Sequence, residues 1–318
     1  MILTHNEAIH LSRALDSVAS FARSVHVVDS GSGDGTVEIA KARGAEVLVH
    51  AWRNYADQFQ WGMDNIDSDA DWILRLDADE VIGADLAARF YSEVSQLPAE
   101  VAGINIDRRH VFMGRWIRFG GRYPLTLLRL FRRGQGRIEQ RWMDEHIVLE
   151  SGRTVHFAGS FSDVNLKDLS FFTAKHNGYA TREAVDIINQ RHGLFPRDMA
   201  VTAGSTSVQA GLKRFIKERV YNALPPELSA LGYFLYRYLL QLGFLDGREG
   251  LIYHVLQGFW YRFLVGAKVV EYERELVHWQ TRAAKLDRLT ALTGLALTSP
   301  ATPAAPAPVA PPHPSQDL

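Results

Sequence analysis

Two carboxylates one residue apart, Asp77 and Asp79, close the apolar run Trp72-Ile73-Leu74-Arg75-Leu76. A buried-type strand that carries acids at its carboxyl end puts them where open α/β sheets bind ligands. Joint service to one site is expected to need a turn immediately after Leu76. Hard oxygen ligands of this kind favour Mg²⁺ or Mn²⁺, which keep several waters and take further contacts from substrate phosphates. A diphosphate leaving group fits that need. The structural alternative is that these acids mark a strand exit or cap a helix beginning at Ala84.

Three further groups could do chemistry. His26-Val27-Val28-Asp29 runs into Ser30-Gly31-Ser32-Gly33-Asp34-Gly35-Thr36, where glycines allow close backbone approach to a ligand and Asp29 is an acceptor able to read a ring N–H. Asp34 reads better as a helix cap. Thr4-His5-Asn6-Glu7 leaves the first strand on the same edge if the sheet is parallel; capping is again the alternative. In Trp142-Met143-Asp144-Glu145-His146, the pair Asp144 and Glu145 suits a general base that takes a proton from an attacking hydroxyl, with a solvated loop as the plain reading. Between Arg108 and Arg141 stand ten arginines and one acid, Glu139, a local positive patch suited to phosphates or anionic acceptors.

Alternating strand-like and helix-like segments must position these groups. The pattern predicts strands over 1–4, 25–28, 46–50 and 72–76, with helices over 7–21, 36–42 and 55–65, the rhythm of a mostly parallel sheet covered by helices. Strand-like runs follow at 103–107 and 125–131. Helical patterns resume at 167–190, 208–224, 228–242 and 250–282. From about Ser299 the chain carries seven of its twelve prolines among alanines and reads as a disordered tail. The organisation expected is a catalytic domain over 1–165, a helical membrane-associating or acceptor region over 166–290, and a tail over 291–318.

Across 318 residues, Lys plus Arg total 35 against 36 for Asp plus Glu, so overall charge gives no case for a nucleic-acid partner. The absence of cysteine removes disulfides, thiolate metal sites and thiol nucleophiles. No apolar stretch is long and uncharged enough to span a bilayer: Arg237 interrupts 228–244, and His254 and Arg262 interrupt 251–270. The opening MILTHNEAIH does not read as a secretory signal, so a cytoplasmic location is expected.

These motifs together resemble family 2 glycosyltransferases, in particular the bacterial branch of lipopolysaccharide-core and exopolysaccharide glucosyltransferases. Thr4-His5-Asn6-Glu7 is similar to the family's T-x-N-E, Asp29 to Thr36 to its D-S-x-S-x-D-x-T, and Leu76 to Glu80 to its L-D-A-D-E. Arg122-Tyr123-Pro124, Leu128 to Arg133 and Asp144-Glu145-His146 resemble the branch's R-Y-P, L-R-L-F-R and H-E-H series. The resemblance implies a GT-A fold, an α/β mixed and mostly parallel sheet with helices on both faces plus a C-terminal helical appendage. It also implies inverting transfer from a nucleotide sugar, UDP-linked in most members, with Mg²⁺ or Mn²⁺. Thr4, Glu7, Asp29 and Ser30 would then meet the nucleoside, Asp77 and Ala78 the nucleotide sugar, and Asp79 with Asp77 the metal. Glu145, beside Asp144, would be the base. The acceptor implied is lipopolysaccharide or a lipid-linked saccharide, met at the cytoplasmic face of the inner membrane.

The sequence departs from the family pattern in two places. Only three residues precede Thr4, fewer than the family's usual first strand. Gln58-Phe59-Gln60-Trp61 stands where the family puts a basic residue with Asn, so no diphosphate-binding arginine carries over. His146 and His156 read as structural. Two rivals stay open. One is a haloacid-dehalogenase-type phosphohydrolase with Asp77 as nucleophile. The other is an inactive assembly subunit working through its amphipathic C-terminal half.

Overall fold

The structure is a computed structural model, and it describes residues 1–139, 146–195 and 226–297. The expected helix over 208–224, most of the expected tail, and Asp144 and Glu145 lie outside the described residues.

A four-stranded sheet forms the nucleotide-type half, in the order β3 (Glu46–Val49), β2 (His26–Asp29), β1 (Ile2–Thr4), β5 (Leu76–Asp77). All of its pairings are parallel. Parallel strands are covered on both faces, and all four residues of β2 are buried accordingly. Successive residues of β1 divide between the two cores. Ile2 packs with Leu11, Leu15 and Val18 of α1 (Ala8–Val18) and with Phe90 of α4 (Ala84–Glu93), whereas Leu3 faces Phe59 of α3 (Tyr55–Asn65). Gly62 of α3 has no room for a side chain: a Cβ there would sit 2.7 Å from Met1 Sδ and 2.9 Å from Val28 Cγ2. The helix α2 (Thr36–Ala42) starts from Gly35 at φ +86°, a conformation glycine adopts without strain.

The second sheet is mixed, in the order β4 (Trp72–Leu74), β9 (Leu125–Arg132), β7 (Val101–Phe112), β12 (Arg153–Val164), β6 (Glu80–Ile82), with β8 (Arg115–Ile117) on β7. The strand expected over 72–76 is divided between the sheets. Arg75 N donates to Arg129 O in one, and Leu76 N donates to Met1 O in the other. The sheet is thus less parallel than the sequence pattern suggests, because only β7 with β12 is parallel here. A hairpin of β10 (Gly136–Ile138) and β11 (Ile147–Leu149) completes the described strands.

Beyond β12 the described chain is helical. The helix α5 (Leu169–His192) begins at Asp168, whose side chain accepts from Phe171 N at 2.8 Å, the arrangement of an N-cap. It packs through Ala184, Val185 and Ile188 on Val269, Tyr272 and Leu276 of the helix Tyr261–Leu276. That helix continues from 247 without a break, through a π-helical stretch at His254–Trp260. It stops at Leu276 rather than running to 282, and a new helix, Arg282–Thr293, starts where Thr281 Oγ1 accepts from Ala284 N. A helix at Pro226–Leu235 runs into a second π-helical stretch, Tyr236–Leu240. Among the described residues no helix is long and apolar enough to cross a membrane.

Candidate active site

The carboxyl edge of the parallel sheet gathers β1, β2 and β5, and with them Thr4, Asp29 and Asp77. Thr4 Oγ1 donates to Asp29 Oδ2 at 2.7 Å, and both residues are buried. Asp29 Oδ1 accepts from Gly31 N at 2.9 Å and Ser32 N at 2.8 Å, and Ser32 Oγ adds a 2.6 Å bond to Oδ2. Burial works against this charge, yet the bonds from Ser32, Thr4 and Gly31 hold its carboxyl below the ordinary value. Ser30 ties back to Thr4 O through both its N–H, at 3.0 Å, and its hydroxyl, at 3.2 Å. Asp29 therefore organises the glycine turn as well as facing the edge.

Asp34 has the capping role. Its carboxylate accepts from Ala8 N at 3.1 Å and from Thr36 N at 3.2 Å, so one side chain serves the first turns of α1 and α2. Thr36 Oγ1 in turn accepts from Glu7 N at 2.8 Å. Glu7 occupies the N-cap position of α1, but its side chain makes no capping bond. Its Oε1 accepts from Lys167 Nζ at 2.8 Å and its Oε2 pairs with His10 Nδ1 at 2.5 Å. Leu166 N donates to His10 Nε2 at 2.8 Å, so Nε2 is the unprotonated nitrogen and Nδ1 carries the proton toward Glu7. The Glu7–His10–Lys167 group fastens the first loop to the chain after β12.

The turn comes one residue later than expected: β5 runs through Asp77, and Ala78-Asp79 turn before β6 begins at Glu80. Ala78 is buried with the core that includes Leu76 and Ile82. The acids do not cap α4, whose N-cap is Gly83 with no side-chain capping bond. Asp77 Oδ1 accepts from Tyr55 Oη at 2.6 Å, Tyr55 Oη accepts from Arg75 Nε at 3.0 Å, and Arg129 Nη2 lies 3.7 Å from Asp77 Oδ2. Burial raises this carboxyl, but Arg129, Arg75 and the Tyr55 hydroxyl outweigh it and hold Asp77 ionised. Arg129 also meets Glu80 at 2.5 Å, in a pair buried on both sides. Arg75 and Arg129 thus bring guanidinium charge to the acidic turn, a role the sequence motif holding Arg129 does not specify.

Asp79 has the opposite balance. Burial, then Asp163, raise its carboxyl above the usual range; Lys175 opposes them, Asp77 adds to the rise, and a 3.0 Å bond from Asn165 Nδ2 offsets part of it. Asp163 arrives because β12 pairs with β6, setting Asp163 opposite Glu80, and Val164 N donates to Asp79 O at 2.9 Å. Three carboxylates, at 77, 79 and 163, therefore share one neighbourhood that is short of positive charge around Asp79. A hard divalent cation fits that donor set and that deficit. Among the described residues no group of three His, Cys, Asp or Glu could enclose a metal by itself. A cation here would need ligand oxygens from a substrate, as Mg²⁺ commonly does. His156 is bonded to Asp107 at 3.2 Å, away from these acids, and His146 is exposed with its carbonyl accepting from Glu139 N.

Residues 1–154 match the model of the family described as Glycosyl transferase family 2. They form a family 2 glycosyltransferase domain. The α/β fold is GT-A-like, with mixed sheets and a C-terminal helical region. An uncharacterised glycosyltransferase of Rickettsia bellii is 44% identical over 85 residues, 27% of this chain and 28% of that protein. One from Rickettsia felis is 42% identical over 85 residues, 27% and 29% of the respective chains. The matches therefore span less than a third of these relatives. Among solved structures, glucosyl-3-phosphoglycerate synthase from Mycobacterium tuberculosis, in complex with Mn²⁺, UDP and glucosyl-3-phosphoglycerate, shares 16% identity at a TM-score of 0.27. That match covers 34% of this chain and 42% of the synthase.

Proposed function

We propose that the protein is an inverting glycosyltransferase that moves a sugar from a nucleotide sugar, UDP-linked, to a lipopolysaccharide-core or lipid-linked saccharide acceptor in cell-envelope polysaccharide synthesis. The observation that carries this reading is the Asp77-Ala78-Asp79 turn at the carboxyl edge of the parallel sheet, beside the Thr4–Asp29 loop. Residues 1–165 would be the catalytic unit, 166–290 the acceptor and membrane-facing unit, and 291–318 a tail.

Thr4, Glu7, Asp29 and Ser30 line the edge assigned to the nucleoside, with the peptide around Ala78 against the nucleotide sugar. Asp79, with Asp77 beside it, would hold Mg²⁺ or Mn²⁺, which neutralises the departing nucleoside diphosphate. The acceptor hydroxyl attacks the sugar carbon while the bond to the diphosphate breaks. Its proton passes to Glu145, beside Asp144. A place at the cytoplasmic face of the inner membrane is supported by exposed apolar side chains of the helical region, among them Leu239, Leu240, Phe244 and Leu245, with Leu240 76% exposed. A cluster of that kind suits a membrane surface.

The test is a donor panel. Nucleotide release from UDP-, GDP- and dTDP-sugars is measured with Mn²⁺ present, and release from one donor is expected. Phosphatase turnover indifferent to UDP would replace this reading with the hydrolase. Polysaccharide synthesis unaltered by Glu145→Gln would remove that residue as the base.

A further inference from the structure

A second group of charged side chains lies where the 118–122 loop meets the C-terminal helices, apart from the acidic turn. Asp246 fixes this loop by accepting from Arg118 N at 3.2 Å and Phe119 N at 2.9 Å, and Gly120 N donates to Gln241 O at 2.8 Å. Arg237 is buried. Its Nε donates to Gly120 O at 2.5 Å and its Nη1 to Tyr233 Oη at 2.9 Å. Its Nη2 is buried with no partner among the described residues, as are Arg122 Nε, Arg108 Nε, and both ring nitrogens of His254. Buried donors without a partner destabilise the fold, and charged ones more so.

The groups that could neutralise this cluster are already engaged. Asp163 pairs with His110 at 3.1 Å and Arg108 at 3.7 Å. Glu183 binds Tyr261 at 2.5 Å and Arg262 at 3.2 Å, and Asp246 holds the loop. Among the described residues Arg122 and Arg237 have no carboxylate partner. Their joint field is felt around them: burial, Arg237 and Arg122 together push His254 down to about 4. Tyr253 has Arg122, Arg237 and Arg108 acting on it along with Asp163. Asp163 also acts on Asp79, so the cluster adjoins the acidic turn without including it.

The 118–122 loop packs tightly on the C-terminal helices. A Cβ at Gly120, φ +65°, would collide with the His254 ring, and one at Gly243 would lie 2.7 Å from it. Both Arg237 and His254 sit in π-helical stretches, a geometry often found at functional sites. Exposed Leu239, Leu240, Leu242, Phe244 and Leu245 follow Arg237 directly along the chain.

We propose that Arg122 and Arg237 form a binding site for a phosphate ester carried by the acceptor, separate from the donor diphosphate site at Asp79. The acceptor assignment rests on the transferase reading above; the phosphate site itself rests on the unpaired guanidinium nitrogens. Arginine matches phosphate oxygens with paired, charge-assisted N–H donors.

The full chain is titrated with glycerol phosphate, and separately with vesicles of phosphatidylcholine with or without phosphatidic acid, each with UDP and Mg²⁺ saturating. Wild-type protein is expected to bind at least one phosphate ester. Arg122→Gln should weaken that binding roughly tenfold to a hundredfold, Arg122→Lys should weaken it less, and the affinity for UDP with Mg²⁺ should stay unchanged. Dependence on Arg122 with phosphatidic acid vesicles assigns the phosphate to a lipid. Dependence with glycerol phosphate alone assigns it to a soluble saccharide phosphate. The proposal is overturned if neither probe binds, if Arg122→Gln leaves binding intact, or if that variant loses UDP with Mg²⁺ to the same extent. Arg237→Lys, judged by the same criteria, replaces Arg122→Gln if the latter's melting curve shows misfolding. Wild-type protein that binds no UDP with Mg²⁺ overturns the donor reading instead, and phosphate-ester binding measured without nucleotide still decides the site.

Discussion

The nucleotide edge and the arginine cluster are both polar, but they handle their polar groups in opposite ways. At the edge, Asp29 receives four hydrogen bonds, Asp34 serves two helix starts, and Glu7 is matched by His10 and Lys167. The edge is finished before any ligand arrives, with one exception. Asp79 is crowded by acids that only Lys175 and Asn165 offset. In the cluster between the 118–122 loop and the C-terminal helices, guanidinium and imidazole nitrogens are buried without partners among the described residues. One region concentrates negative charge at Asp79, and the other concentrates guanidinium charge at Arg122 and Arg237. The proposed donor site and the proposed phosphate site rest on that contrast.

The contrast breaks most readily at Asp79. Asp79→Asn should lower transferase turnover at least a hundredfold, roughly 3 kcal/mol or more of transition-state stabilisation, while raising the melting temperature of metal-free protein at neutral pH. The sign follows from the raised carboxyl: its contribution to stability is present in the protonated form and is lost as pH rises through the folded-state pKa. A metal-free melting temperature unchanged by the substitution would contradict the crowding. Arg129→Met should cost about 1–3 kcal/mol in urea unfolding, because it removes the hydrogen-bond partner of the buried Glu80 carboxyl, which burial pushes up to about 8. Arg129→Met with Glu80→Leu together should recover part of that loss.

Asp34→Ala tests the finished framework more gently. It removes the acceptor for Ala8 N and Thr36 N. The loss of that cap should cost about 1 kcal/mol in the same unfolding experiment. The smallest effect concerns the cluster. His254 is neutral in the folded chain, with its pKa lowered from 6.5 to about 4, so the unfolded chain binds protons more readily between those values. Stability should therefore fall as pH drops from 6.5 toward 4, and His254→Gln should flatten that part of the melting-temperature profile.

The strand-end motifs are legible in the sequence because they are local. Asp29 follows a run of apolar residues, glycines follow Asp29, and the paired acids 77 and 79 stand directly after an apolar run. Asp34 as a cap is legible for the same reason. What the sequence hides is what long-range pairing brings in. Asp163 reaches the acidic turn only because β12 pairs with β6. Lys167 joins Glu7 across 160 positions of chain. Arg129 belongs to a visible arginine-rich segment, but its alternation with apolar Leu128 and Leu130 gives it a direction only once β9 is set between β4 and β7. The strand β12 itself escapes the pattern, since its polar and apolar residues do not alternate cleanly over Arg153–Val164. The sequence pattern carries one helix through to 282 and expects none over Arg282–Thr293, because the restart depends on Thr281 as a cap and no glycine or proline marks the stop at Leu276.

In the proposed function the Asp77–Asp79 turn would hold a metal-bound nucleoside diphosphate beside the Thr4–Asp29 loop. Calorimetric titration of UDP into the full chain, with and without Mn²⁺, tests it most directly, using wild type and Asp79→Asn side by side. Wild-type protein is predicted to bind UDP more tightly with Mn²⁺ than without, and Asp79→Asn to abolish the difference. UDP binding that ignores Mn²⁺, or a Mn²⁺ effect that survives Asp79→Asn, would contradict it.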